Sequence, residues 1–290
     1  MPELTARAYA KINLGLDITG LRDDGYHLVR MIMQTVGVAD ELEFTRTTDG
    51  QITIDSSVNL GKASDNLIYK AIDLIRKEKG ITDGMRVRLT KNIPVAAGLA
   101  GGSSDCAAAL KAMNKIYGLG LSPEELAAYG VRLGADVPYC LMGGTAISEG
   151  IGEILTPLPS APFAHVLLVK PPVGISTKEA YAAYDREPQH EHPDIDGLIH
   201  AIEARDLRAM CASMGNVLEP VSVGMHPEIE DIKAKMKELG AAGSMMSGSG
   251  STVFGLFEEK EAAGAAGIVL KETYPGAEIF LTGFADRNDL

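Results

Sequence analysis

The sequence has little positive charge, few cysteines and no long apolar run. With 27 Lys and Arg against 39 Asp and Glu in 290 residues, its formal net charge is −12, so it lacks the broad basic field that general nucleic-acid binding requires. Its three cysteines form neither a CxxC pair nor a disulfide framework, which favours a reducing compartment. No apolar run reaches the length of a bilayer span, and residues 1–5 carry no signal-peptide pattern. These absences predict a cytoplasmic protein with no nucleic-acid or membrane partner.

Motifs of several common enzyme classes are also missing. The P-loop pattern GxxxxGK[ST] is absent, because the Gly61-Lys62 pair is followed by Ala63. The dinucleotide pattern GxGxxG fails at Val253. Neither DFG nor HRD occurs, which excludes a protein kinase, and the lack of a GxSxG elbow disfavours a serine hydrolase. What remains is a glycine-serine loop, a second glycine-serine turn near 243–251, and scattered Lys, Asp and His residues.

The glycine-serine loop at 93–105 reads Ile-Pro-Val-Ala-Ala-Gly-Leu-Ala-Gly-Gly-Ser-Ser-Asp and precedes a helical run at 106–117. Small residues with free N–H groups before a helix N-terminus form a phosphate site, because the first-turn amides lack intrahelical partners and the helix dipole favours an anion. The alternative is an ordinary strand-to-helix turn in which Ser103 or Ser104 is the N-cap.

Two further polar positions are open to a catalytic interpretation. Alternating apolar residues from Ile12 to Ile18 predict a half-buried strand, and its other face carries Lys11 and Asn13, which point either to solvent or into a cleft. Asp136, just before Val137-Pro138, is either a helix cap or a proton acceptor. Phosphoryl transfer suits these residue types, because an aspartate can accept the proton of an alcohol and a lysine can stabilise the alkoxide.

The order of elements predicts an α+β fold. Strands are expected at 29–36, 41–45, 51–54 and 85–89, and helices and strands alternate without the regular βαβ rhythm of a parallel sheet. Asp65-Asn66 predicts the start of a helix that Gly80 ends, and the run at 122–125 predicts a capping box that begins at Ser122. The proline-rich stretch at 156–162 predicts a boundary between domains 1–160 and 161–290. His190 and His192 lie in a polar segment without further ligands, which favours a solvated loop over a metal site.

Residues 94–104 resemble the nucleotide-binding motif of the GHMP kinases, which phosphorylate small alcohols and acids. The family's N-terminal lysine strand corresponds to Ala-Lys-Ile-Asn-Leu at 10–14, and its late glycine turn to Ser-Gly-Ser-Gly at 247–250. Asp-Gly-Tyr-His at 24–27 and Leu-Gly-Ala-Asp-Val-Pro at 133–138 resemble one branch, whose substrate is a cytidine-diphosphate derivative of methylerythritol from the non-mevalonate isoprenoid pathway. The motifs occur in order over essentially the whole chain.

The resemblance implies a two-domain fold, with a ribosomal-protein-like N-terminal α+β domain that contains a left-handed βαβ unit and a ferredoxin-like C-terminal domain. It implies transfer of a phosphoryl group from ATP, with Mg²⁺, to the 2-hydroxyl of the methylerythritol moiety. Asp136 would be the base and Lys11 its charge partner. The implied ATP-binding residues are Pro94, Ala97, Gly98, Leu99, Ala100, Gly101, Gly102, Ser103, Ser104, Asn66 and Lys91. The implied substrate-binding residues are Asn13, Tyr26, His27, Tyr181, Gly248 and Ser249.

Two positions depart from the family pattern. Ala100 stands where the family has glycine, so a positive φ there would cost roughly 1 kcal/mol or more. Cys106 replaces an alanine, which is a packing change. No acidic cluster for Mg²⁺ is evident, and Ser104 is the candidate ligand. The alternatives are a GHMP kinase for homoserine, mevalonate or a sugar, and an inactive nucleotide-binding regulator.

Overall fold

The computed structural model describes residues 2–187 and 189–287, and its first half is built on one long hairpin. Strands β1 (Leu4–Leu21) and β2 (His27–Thr47) pair antiparallel over almost their whole length. The prediction of separate strands at 29–36 and 41–45 was therefore wrong. The β1–β2 pairing contains register shifts, such as the one between Tyr9 and Lys11. These irregularities let β2 continue through residues 37–40 without a loop.

A βαβ unit extends this sheet on one side. Strand β3 (Ile52–Ser56), helix α1 (Leu67–Lys79) and strand β4 (Gly84–Thr90) follow in order, and β3 and β4 are parallel neighbours. Asn66 caps α1, and Gly80 ends it at a φ of 66°, as the sequence predicts. The sheet order is β3-β4-β2-β1, so the unit lies beside the hairpin.

The rest of the first half covers the sheet and closes its other side. Helix α2 packs against α1 and β1, α3 begins with the predicted capping box at Ser122, and β5 pairs with β2 and β6. The bounds are α2 (Gly101–Ile116), α3 (Pro123–Val131), α4 (Val137–Met142), β5 (Thr145–Glu149) and β6 (Ile154–Pro157).

The second half contains a four-stranded antiparallel sheet in the order β11-β7-β10-β9. This order, with helices between the first two and the last two strands, is the ferredoxin-like arrangement. The α+β fold class is confirmed. The bounds are β7 (His165–Lys170), α5 (Thr177–Tyr184), α6 (Ile195–Glu203), α7 (Leu207–Ser213), β8 (Gly215–Asn216), α8 (Glu219–Met225), α9 (Glu228–Glu238), β9 (Gly243–Met246), β10 (Val253–Phe257), α10 (Lys260–Thr273) and β11 (Glu278–Gly283).

The two halves are joined by shared structure. The short strand β8 leaves the second half and pairs parallel with β1. One core cluster contains Leu16 and Met31 together with Phe257, and another contains Ile12 together with Phe254. The division into 1–160 and 161–290 stays a prediction. Within the described ranges, no helix combines the length and the apolar character that crossing a bilayer requires.

Candidate active site

The loop between β4 and α2 has the backbone shape of an anion site. Ala96, Gly98 and Ala100 have φ values of 52°, 74° and 55°, so the chain turns repeatedly through the left-handed region. The Lys11 N–H donates to the Leu99 carbonyl at 3.1 Å, which fastens the loop to β1. Ala100 thus adopts the left-handed conformation although it carries a Cβ.

Helix α2 begins at Gly101, two residues before the serines. Its first intrahelical bond runs from the Ser104 N–H to the Ala100 carbonyl at 2.9 Å. The amides of Gly101, Gly102 and Ser103 precede that bond and are available to an anion. The N-cap interpretation of the serines was wrong, because Ala100 occupies that position and Ser104 donates its hydroxyl to the Tyr9 carbonyl instead.

The late glycine turn lies directly against this loop. The Ser247 Oγ donates to the Gly98 carbonyl at 3.0 Å, and the Thr252 N–H donates to the Ala97 carbonyl at 3.3 Å. A Cβ on Gly98 would lie 2.1 Å from the Ser247 carbonyl oxygen. The backbones approach so closely that only glycine fits at position 98, and the two glycine-rich segments form one wall.

Lys11, Asn13 and Asp136 meet beside this wall. Lys11 and Asn13 are only 5% and 0% exposed, so the polar face of this strand is buried, not solvated. The Lys11 Nζ donates to the Asn13 Oδ1 at 2.7 Å and lies 3.9 Å from the Asp136 Oδ2. Asp136 stands at the N-cap position of α4, yet its side chain makes no capping bond and is 32% exposed. Its carboxylate is thus directed to Lys11 and the cleft.

A group of aromatic rings also lines the site. The His27 ring lies 4.8 Å from the Tyr181 ring between centroids, and the His27 Nε2 lies 2.7 Å from the Asp185 Oδ1. Burial raises the pKa of Tyr181 to about 12, with the charge of Asp136 adding to the effect. Tyr26 is 59% exposed at the rim. A flat ring could stack here.

The remaining predicted nucleotide residues, Asn66 and Lys91, also line the cleft. The Asn66 Oδ1 accepts from the Ile68 N–H at 2.8 Å and caps α1. The Lys91 Nζ is held between Asp40 and Asp105, and the Asp105 contact is 2.9 Å. Burial raises the pKa of Asp105 to about 7, although the Lys91 ammonium opposes that shift. The ammonium of Lys91 is thus engaged within the protein, and its role near adenine stays a prediction.

Nearly all of these residues line one cleft of about 920 Å³. Of the predicted site residues, only Ser104 is not part of its lining. The sequence reasoning missed Thr177 and Lys178, which also line it. The sequence signal near these residues is the capping box of Ser176 and Glu179, which marks the start of α5.

The residues of the cleft do not form a magnesium cage. Among residues 2–187 and 189–287, no group of three or more His, Cys, Asp or Glu side chains could hold a metal ion. The Ser104 hydroxyl is buried and directed to Tyr9. His190 stacks on Tyr184 at 3.6 Å, and His192 lies 2.7 Å from the Asp17 Oδ1, so these histidines have other partners.

The chain is similar in sequence to known protein families and to individual proteins. The family model described as the GHMP kinases N terminal domain matches residues 66–144, and that of the GHMP kinases C terminal matches residues 198–276. A protein of Lachnospira eligens named 4-diphosphocytidyl-2-C-methyl-D-erythritol kinase is 48% identical over 97% of this chain and 98% of its own.

Solved structures agree with this assignment. The crystal structure of a 4-(cytidine 5'-diphospho)-2C-methyl-D-erythritol kinase has a TM-score of 0.81 and 32% identity, and covers 97% of this chain and 100% of its own. A homoserine kinase from Cytophaga hutchinsonii has a TM-score of 0.77 with 21% identity, covering 96% and 94%, and shares the fold alone. The chain therefore belongs to the GHMP kinase family, and within it to the 4-diphosphocytidyl-2-C-methyl-D-erythritol kinases.

Proposed function

We propose that this chain transfers the γ-phosphoryl group of ATP to the 2-hydroxyl of 4-diphosphocytidyl-2-C-methyl-D-erythritol. The observation that carries this proposal is the Lys11–Asp136 pair, 3.9 Å apart, beside the glycine loop in a single cleft. A kinase needs a proton acceptor and a phosphate site close together, because it must align an alcohol with the transferring phosphoryl group.

Asp136 is suited to act as the base. Its carboxylate is free of helix capping and partly exposed to the cleft, so an acceptor alcohol can reach it. Lys11 is held by Asn13 at 2.7 Å and can stabilise the alkoxide that forms. Asn13 thus positions Lys11 and can itself contact the substrate.

The glycine loop is suited to hold the ATP phosphates. The free amides of Gly101, Gly102 and Ser103 point a partial positive charge at the cleft, which favours phosphate oxygens. Asn66 and Lys91 would lie near the adenine. We propose that Mg²⁺ enters with the nucleotide, since phosphate oxygens and waters can supply most of its ligands.

The other end of the cleft is suited to the cytidine diphosphate group of the acceptor. Tyr181 and His27 offer ring faces for the cytosine, with Tyr26 at the rim. Gly248 and Ser249 line the cleft between these rings and the glycine loop, where the acceptor's phosphates would lie. The oligomeric state stays open. The cytoplasmic location stays a prediction.

The proposal is tested with ATP, Mg²⁺ and diphosphocytidyl-methylerythritol, following ADP release and phosphorylated product. Homoserine, mevalonate and a sugar serve as competing acceptors in parallel reactions. We expect turnover with diphosphocytidyl-methylerythritol and none with the three other acceptors. Turnover with another acceptor at a higher kcat/KM would replace the proposed substrate. Tight ATP binding without any turnover would favour the regulator alternative.

A further inference from the structure

The cleft contains few cations for the number of phosphates that it must accept. Lys11 is matched by Asp136, and Lys91 is held between two carboxylates. His27 faces Asp185. Lys178 also lines the cleft, and within the described residues it has no carboxylate within ion-pair distance. It is thus the lysine of this cleft whose charge is left for a ligand.

The neighbour that could neutralise Lys178 is occupied elsewhere. Glu179 is the next residue, but its carboxylate accepts from the Ser176 N–H at 3.3 Å and completes the capping box of α5. The cap directs this carboxylate back along the first turn, toward the backbone. Lys178 is exposed and lines the cleft.

Lys178 lies between two features that the proposed function assigns to the acceptor. Its neighbour Thr177 contacts Ser249 of the late glycine turn, with 3.2 Å between the two hydroxyl oxygens. Tyr181 follows three residues later on the same helix, a spacing that places two side chains on one face. In the acceptor the ribose follows the cytosine and the diphosphate follows the ribose, so a cytosine on Tyr181 and phosphates at Ser249 would place the diphosphate beside Lys178.

We propose that Lys178 binds the diphosphate group of the cytidylyl substrate and thereby selects acceptors that carry it. This inference rests on the proposed function. A lysine ammonium is a compact charge on a flexible stem, so it can follow a diphosphate as the substrate settles. Small neutral alcohols present no such group, and they gain nothing from this contact.

The test uses cytidine and cytidine 5'-diphosphate as competitive inhibitors of the full-length protein and of Lys178→Gln. We expect the variant to bind cytidine diphosphate about tenfold more weakly, which corresponds to about 1.4 kcal/mol, and to bind cytidine as the wild type does. The KM for the cytidylyl substrate should rise by a similar factor, while kcat and the KM for ATP stay the same. Lys178→Arg should keep most of the affinity.

Lys260→Gln is the charge-matched control, because it removes one lysine from α10, which lines no part of the cleft. Unchanged diphosphate affinity in Lys178→Gln overturns the inference. So does a rise in the KM for ATP, which would assign Lys178 to the nucleotide, or equal loss of cytidine and cytidine diphosphate binding. Absence of turnover by the wild type would contradict the proposed function and not the role of Lys178. In that case, calorimetric titration of the wild type and of Lys178→Gln with cytidine and cytidine 5'-diphosphate still tests whether Lys178 binds the diphosphate.

Discussion

Asp136 differs from three other polar N-cap residues, Asn66, Ser122 and Asp206, in what its side chain contacts. Asn66, Ser122 and Asp206 each accept a hydrogen bond from the helix that they precede. Asp136 makes no such bond, and its Oδ2 faces Lys11 at 3.9 Å. A carboxylate left out of its local capping role is available for proton transfer.

We predict that Asp136→Asn lowers kcat at least about a hundredfold, because an amide cannot accept the alcohol proton. ATP affinity should be nearly unchanged, since the glycine loop is separate from this residue. Steady-state kinetics and nucleotide titration measure the two effects. Asp73→Asn on α1, which removes a surface pair with Lys77, is the control. An unchanged kcat would remove Asp136 from the role of base.

Ala100 holds a conformation that is unfavourable for a residue with a Cβ. Its φ is 55°, and L-residues in this region are strained by about 1 kcal/mol or more. The loop holds Ala100 in this conformation, because the Ser104 N–H and the Lys11 N–H both donate to loop carbonyls. Alanine at this position therefore strains the loop but does not prevent its left-handed turn.

We predict that Ala100→Gly raises the free energy of unfolding by about 0.5 to 1 kcal/mol, because relief of strain exceeds the added entropy of the unfolded chain. Ala262→Gly on the exposed face of α10 is the matched control, and should lower stability by about 1 kcal/mol. Urea denaturation of both variants measures the difference. Destabilisation of both to the same extent would contradict the strain at position 100.

At the level of elements, the phosphate site is made by two segments that are distant in sequence. The loop before α2 is pressed against the turn after β9, and the Ser247 hydroxyl joins them. Neither segment alone defines the wall of the cleft. The contact between them requires that no side chain intervene at Gly98.

We predict that Gly98→Ala lowers kcat/KM for ATP at least about tenfold, because the added Cβ would drive the late turn away from the loop. Gly118→Ala is the control: its φ of 57° gives a similar backbone strain of about 1 kcal/mol, but its Cβ would meet nothing within 4 Å. It should lose stability and keep activity. Equal activity in the two variants would show that the contact at Gly98 is dispensable.

At the level of the whole molecule, the two sheets depend on a common interior. Of the three core clusters formed by residues 2–187 and 189–287, two draw residues from both sides of position 160, whereas the third lies within the first half. Strand β8 also returns to the first sheet. Burial that crosses the boundary couples the folding of the two halves.

We predict a single unfolding transition for the full chain by scanning calorimetry, with a calorimetric enthalpy equal to the van't Hoff enthalpy. Saturating ATP should shift this single transition to a higher temperature without splitting it, since binding stabilises the folded state as a whole. Two resolved transitions would favour the division at 160 as a boundary between independent domains.

Local features of this structure follow most directly from the sequence. The cap at Asn66, the capping box at Ser122 and the stop at Gly80 are confirmed, because each depends on a few consecutive residues. The separation of 29–36 and 41–45 into two strands was wrong, and so were the serine caps. In both places a partner that is distant in sequence determines the structure. Strand β1 pairs with β2 along nearly its whole length, and the Tyr9 carbonyl accepts a hydrogen bond from the Ser104 hydroxyl.

The sequence by itself determined the α+β pattern, the two glycine segments and the family to which the chain belongs, because residue order controls periodicity, caps and motifs. Only the tertiary structure decided that Lys11 is buried and lies 3.9 Å from Asp136, and that Lys178 faces the cleft. Residues 125 positions apart are brought together by sheet pairing and core packing. Periodicity and spacing along the chain carry no such distance.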